Sequence, residues 1–71
     1  MEYKLENLEG SKYSLSGDAK YIKENILKLF NKSDIIGLTV HEIEIIEHIE
    51  IAFDANLDQL TKFKKLLKKL K

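Results

Sequence analysis

Residues 41–53, HEIEIIEHIEIAF, alternate isoleucine with glutamate. Such alternation is what a strand with one buried face requires, because successive side chains point to opposite sides. Ile43 and Ile45, then Ile49, Ile51 and Phe53, share one parity. A three-residue loop of Ile46, Glu47 and His48 sets Ile45 opposite Ile49, Ile43 opposite Ile51 and His41 opposite Phe53. The other face then pairs Glu44 with Glu50 and Glu42 with Ala52, which suits water, since like charges directly opposite repel. A two-residue loop would instead put Ile49 and Ile51 on the face of Glu44 and Glu42. The competing reading is a helix, because Thr39, Val40, His41 and Glu42 fit a capping box. It scatters Ile45, Ile49 and Ile51 around the cylinder, and β-branched residues lose rotamer freedom in a helix while fitting a pleated surface. The hairpin is the better account.

Residues 2–16 repeat the pattern. Tyr3 and Leu5, then Tyr13 and Leu15, share a parity, and a loop of Leu8, Glu9 and Gly10 sets Leu5 opposite Tyr13 and Tyr3 opposite Leu15. Gly10 falls where a three-residue hairpin needs a left-handed backbone. The outer face carries Lys4, Glu6, Lys12 and Ser14. Ser16 or Asp18 is the N-cap of a following helix, in which Ala19, Ile22, Ile26, Leu29 and Phe30 form an apolar stripe. Asn31, Lys32, Ser33 and Asp34 end it. After the second hairpin, Asn56 and Gln59 resemble a capping box, and Leu57, Leu60, Phe63, Leu66, Leu67 and Leu70 form the stripe of a final helix. Between the units, residues 35–40 are apolar around Gly37. Leu38 and Val40 have the wrong parity for a core face set by Ile43, which predicts a bulge or kink.

A shift of 38 positions lays the first unit on the second without a gap. Leu5 falls on Ile43, Leu8 on Ile46, Tyr13 on Ile51, Leu15 on Phe53, Asp18 on Asn56 and Ile22 on Leu60. Coincident loops, strands and caps mark an internal repeat. The expected fold is α+β, ββαββα: a four-stranded, mainly antiparallel sheet with two helices packed on one face. At 71 residues it is read as a single domain, 1–71, with units 1–34 and 38–71. Neither unit alone buries enough surface, since isolated hairpins are marginal in water.

Composition narrows the chemistry. No cysteine means no disulfide, thiolate metal site or cysteine nucleophile, and it fits a cytoplasmic setting. No apolar run approaches the roughly 20 residues that span a bilayer, and the first residues do not begin a secretory signal. His41 and His48 are the only histidines, and the nearby glutamates point elsewhere in the alternation, so no metal or other cofactor is expected. Gly10, Gly17 and Gly37 are isolated and form no phosphate loop. No nucleophile elbow is present, and the chain has little room for a pocket around paired acids. The expectation is therefore a protein that is not an enzyme.

Two binding classes remain. Side-chain charge sums to zero, but residues 39–54 carry five acids and no lysine, whereas residues 57–71 carry six lysines and one acid. The first class is a small protein-interaction or adaptor module, either whole or the N-terminal domain of a longer protein, whose partner is another protein or a second copy in a homodimer. It would use the apolar strip Ile35, Ile36, Leu38 and Val40, the acidic Glu42, Glu44 and Glu50, or the lysines Lys62, Lys65 and Lys69. Edge strands readily accept a partner strand. The second class is nucleic-acid binding through the lysine-rich C-terminal helix. Against it stand the absence of arginine, the lack of aromatics on the outer sheet face and the strand glutamates that would repel phosphate. A membrane role is not expected, because the core claims the last helix's apolar face.

Overall fold

The computed structural model of the chain describes residues 3–43 and 47–70. Strands β1 (Tyr3–Glu9), β2 (Lys12–Asp18), β3 (Thr39–Ile43) and β4 (His48–Asp54) form one antiparallel sheet in the order β1-β2-β4-β3. Helices α1 (Ala19–Asn25), α2 (Leu27–Lys32) and α3 (Leu57–Lys68) pack on one face of it. The architecture is ββαββα, with the first helix interrupted at Ile26. There Asn25 Nδ2 donates to the Tyr21 carbonyl at 3.1 Å, and a side-chain amide one turn back competes with the backbone ladder. The Ile26 N–H still reaches the Ile22 carbonyl at 2.9 Å, but the Leu29 N–H turns to the carbonyl of Ile26, one residue short of the α pattern.

The core lies between the two central strands and the helices. Leu15, Ile49, Ile51 and Phe53 meet Ile22, Ile26, Leu29 and Phe30 from α1 and α2, and Leu60, Phe63 and Leu67 from α3. At its centre three phenylalanines from three elements touch, with ring centroids 4.5 Å apart for Phe30 and Phe63 and 5.0 Å for Phe30 and Phe53. Aromatic pairs at this range add to the area they bury.

The repeat is visible in the geometry. Asp18 caps α1 by accepting from the Tyr21 N–H, and Asn56 caps α3 by accepting from the Gln59 N–H, with Gln59 completing a capping box. Each donor sits three residues after its cap. Ser14 and Ala52, which the 38-residue shift superposes, face each other in the β2–β4 ladder. The two ββα units are thus related by a local two-fold through that pair.

Four expectations change. In the first hairpin Leu5 faces Leu15 and Asn7 faces Tyr13, two positions from the expected register. The turn is Gly10 and Ser11, with Gly10 at φ +60°, as a two-residue turn favours. Asn7 Nδ2 donates to the carbonyls of Gly10 at 3.2 Å and Lys12 at 3.0 Å, tying the loop, and an irregularity between Asn7 and Glu9 absorbs the exposed Leu8. An even shift preserves faces, so Tyr3, Leu5, Tyr13 and Leu15 still meet the core.

In the second hairpin the slip is odd, and faces invert. Val40 lies opposite Ile51, His41 opposite Glu50, Glu42 opposite Ile49 and Ile43 opposite His48. Ile43 and His41 therefore share the open face with Glu50, while Val40 and Glu42 share the helix-side face with Ile49 and Ile51. Four residues separate Ile43 from His48, and the last of them, Glu47, has φ +41°. The expected inward positions of Ile43 and His41 are thus overturned, and the pairing drawn for Glu44, Ile45 and Ile46 lies outside the described residues. The reason is position: every residue of β3 is exposed, so burial does not dictate its register as it does for β4.

The connection also differs. Leu38, Val40 and Glu42 run in one parity with no bulge between Thr39 and Ile43. The chain turns earlier, at Asp34 (φ +61°) and Gly37 (φ +72°), both left-handed. Ile35 is buried in the core. Leu57, expected in the stripe of the last helix, is exposed at its first position.

Candidate functional site

The ladder geometry decides which backbone groups of β3 are free. Ala19 donates to the Glu47 carbonyl and Ala55 to the Ser11 carbonyl, each at 3.0 Å, continuing the β2–β4 register beyond both ends. In an antiparallel pair only alternate residues exchange hydrogen bonds. On β4, then, Ile49, Ile51 and Phe53 direct N–H and C=O toward β2, and His48, Glu50 and Ala52 direct theirs toward β3. Their partners are Ile43, His41 and Thr39. Val40 and Glu42 consequently point their N–H and C=O away from the sheet, along an edge that no described strand pairs.

The two edges of the sheet differ. β1 carries Lys4, Glu6 and Glu9, with Lys4 Nζ 3.2 Å from Glu6 Oε2, and is broken by the irregularity at Leu8. Charges and bulges are the usual means of keeping an edge from pairing. β3 has no register shift, and its single charged residue, Glu42, is held in an ion pair by Lys23 of α1. Three of the large apolar side chains left exposed, Ile36, Val40 and Ile43, lie on or just before it.

A second surface lies on the helix layer. Lys62, Lys65, Leu66 and Lys69 recur at spacings of three and four, on one stripe of α3, and Lys32 at the end of α2 faces them across a shallow cleft of about 260 Å³. Leu66 is half-buried at its floor. Lys62 Nζ lies 3.9 Å from Asp34 Oδ2, with both side chains largely in water, so this pair contributes little. Lys65 and Lys68 sit in the last turn of α3, where positive charge complements the helix dipole.

The residues singled out in sequence therefore separate. Ile35 is core and unavailable to a partner; Leu38 packs half-buried against the core; Ile36 and Val40 are exposed at the β3 edge. Glu42 faces the helices and Lys23, Glu50 lies on the open sheet face, and Glu44 is outside the described residues. Lys62, Lys65 and Lys69 come together. Sequence reasoning missed Lys32 and Leu66 as their neighbours, and Ile43 as an edge residue. The spacing of Leu66 from the three lysines was legible; Lys32 is brought there only by the packing of α2 against α3.

Charge is divided by layer. Among the described residues, the segments that bear the sheet, 3–18 and 39–54, hold two lysines and seven acids, a side-chain charge of −5; the others hold nine lysines and three acids, +6. The overall zero conceals a dipolar molecule. Among the described residues, no group of three His, Asp or Glu side chains is placed to hold a metal, and no helix is long and apolar enough to cross a membrane. A hollow lined by Ala19, Lys20, Lys23, Glu24, Glu42 and Glu47 mixes both signs of charge. Comparison with protein-family models, curated proteins and solved structures finds no match.

Proposed function

We propose that this chain is a non-enzymatic protein-interaction module that accepts an extended segment of another protein as a fifth strand against β3. The observation that carries the reading is the edge itself: Val40 and Glu42 present unpaired backbone groups on a strand that is exposed throughout and free of register shifts, while the opposite edge, β1, is more heavily charged and bulged. Main-chain bonds to those two residues give affinity in this mode, and alternate side chains give selectivity. Val40 and Ile43 offer apolar contact, one on each face of the strand. The role is that of an adaptor, recruiting one protein to whatever else the module touches.

The test uses a substitution that blocks the edge and spares the fold. Proline is tolerated on an edge strand where the lost N–H faces outward. Wild-type and Val40→Pro proteins are used as bait, and any protein retained only by the wild type is purified and added back. The reading expects that protein to slow amide exchange at Val40 and Glu42. Equal retention by both baits, retention by neither, or binding that leaves those two amides fast contradicts it. A second copy in place of a foreign strand is recognised by the same protection appearing with concentration alone.

Nucleic-acid binding through the α3 lysines is the second reading, favoured by the cluster of Lys32, Lys62, Lys65 and Lys69. It ranks below the first because the chain has no arginine and no aromatic side chain lines the cleft with the lysines.

A further inference from the structure

The helix layer presents a patch that strand addition at β3 does not use. Nine exposed lysines stand on α1, α2, α3 and the C-cap of α3, and four of them ring one half-buried leucine. Stabilisation of helix ends accounts for Lys65 and Lys68, but not for Lys62, which stands in the first half of α3, nor for a convergence of α2 and α3 lysines on Leu66.

We infer that the cleft between α2 and α3 is a second docking site, independent of β3, for an acidic peptide whose single apolar side chain seats on Leu66 while flanking carboxylates meet Lys32, Lys62, Lys65 and Lys69. Three features select this occupant. The charge is complementary: the described residues of the layer carry +6, and a surface of one sign draws an oppositely charged partner. The cleft, about 260 Å³, falls below the size of a small-molecule pocket yet holds one aliphatic side chain. Its floor is aliphatic, not aromatic, and its donors are ammonium groups without a planar fork, which suits carboxylates around a hydrophobic anchor better than stacked bases. A lipid surface is disfavoured because Leu60, Phe63 and Leu67 are buried in the core and the exposed Leu57 lies on the opposite side of α3 from Leu66, leaving no continuous apolar face.

Fluorescence anisotropy with the full chain tests this, using three labelled probes: a twelve-residue Glu/Asp peptide with one central leucine, the same peptide with serine in its place, and a single-stranded oligonucleotide of equal charge. The leucine peptide binds, weakening as salt rises, and the serine peptide binds about tenfold more weakly, the scale expected for one buried aliphatic contact. The double variant Lys65→Glu, Lys69→Glu loses at least tenfold for the leucine peptide, with its circular dichroism spectrum unchanged. Should that variant lose its fold, Lys62→Glu with Lys32→Glu makes the same change of charge from other turns and gives the same loss. Val40→Pro binds the leucine peptide as the wild type does, which separates this site from the β3 edge. Equal binding of the two peptides, tighter binding of the oligonucleotide, or no binding at low salt overturns the inference.

Discussion

Ser33 is the side chain least at ease among the described residues. It is fully buried at the C-cap of α2, and its Oγ has no hydrogen-bond partner. An unsatisfied buried hydroxyl costs about 1–3 kcal/mol, so Ser33→Ala should stabilise the protein by about 1 kcal/mol, read as a higher urea midpoint at unchanged slope. A fall in the midpoint would show that the hydroxyl is satisfied. At this scale the caps were legible: the Asn56–Gln59 box was placed from residue type and spacing alone, and Asp18 was one of two candidates with Ser16; both caps carry their hydrogen bonds. Gly10 was placed correctly as the left-handed corner. Asn7 was not, because its two bonds to the carbonyls of Gly10 and Lys12 follow from a turn one residue later than its spacing suggested.

Among the elements, β4 and β3 show where alternation is a reliable guide. In β4 the apolar parity of Ile49, Ile51 and Phe53 is the buried parity, because helices cover that strand. In β3 the isoleucine at position 43 marks the open face instead, because nothing covers the strand and a one-residue change of register costs it little burial. The odd parity of Leu38 and Val40 was thus a sign that Ile43 faced outward, not that the chain kinked. The interruption at Ile26 was also beyond the periodicity, since it depends on where the Asn25 amide points. The ladder parity yields a paired prediction. His41→Pro removes an N–H bonded to Glu50 and should cost about 1–3 kcal/mol, whereas Val40→Pro removes one that faces outward and should cost less than about 1 kcal/mol in the same denaturation assay. Equal losses would mean that the register is not the one described.

For the whole molecule, the repeat set the architecture and the charge. Two ββα units meet at Ser14 and Ala52 across the central strands, and both send their helices to one side. Lysine-rich helices and acid-rich hairpins recur in both units, so their union sorts +6 from −5 across two layers of described residues. The blocks of charge were visible along the chain; their alignment into layers needed the topology. The candidate surfaces were legible only in part, because Lys62, Lys65 and Lys69 share a helix, whereas the β3 edge emerges from strand order and hydrogen-bond parity. The most direct measurement of the central claim is residue-resolved amide hydrogen exchange on the isolated protein at low concentration. The account predicts slow exchange at Thr39, His41 and Ile43, whose N–H groups are taken by β4, and fast exchange at Val40 and Glu42, whose N–H groups are offered to a partner strand. Protection at Val40 and Glu42 in the isolated chain, or fast exchange at the other three, would contradict it.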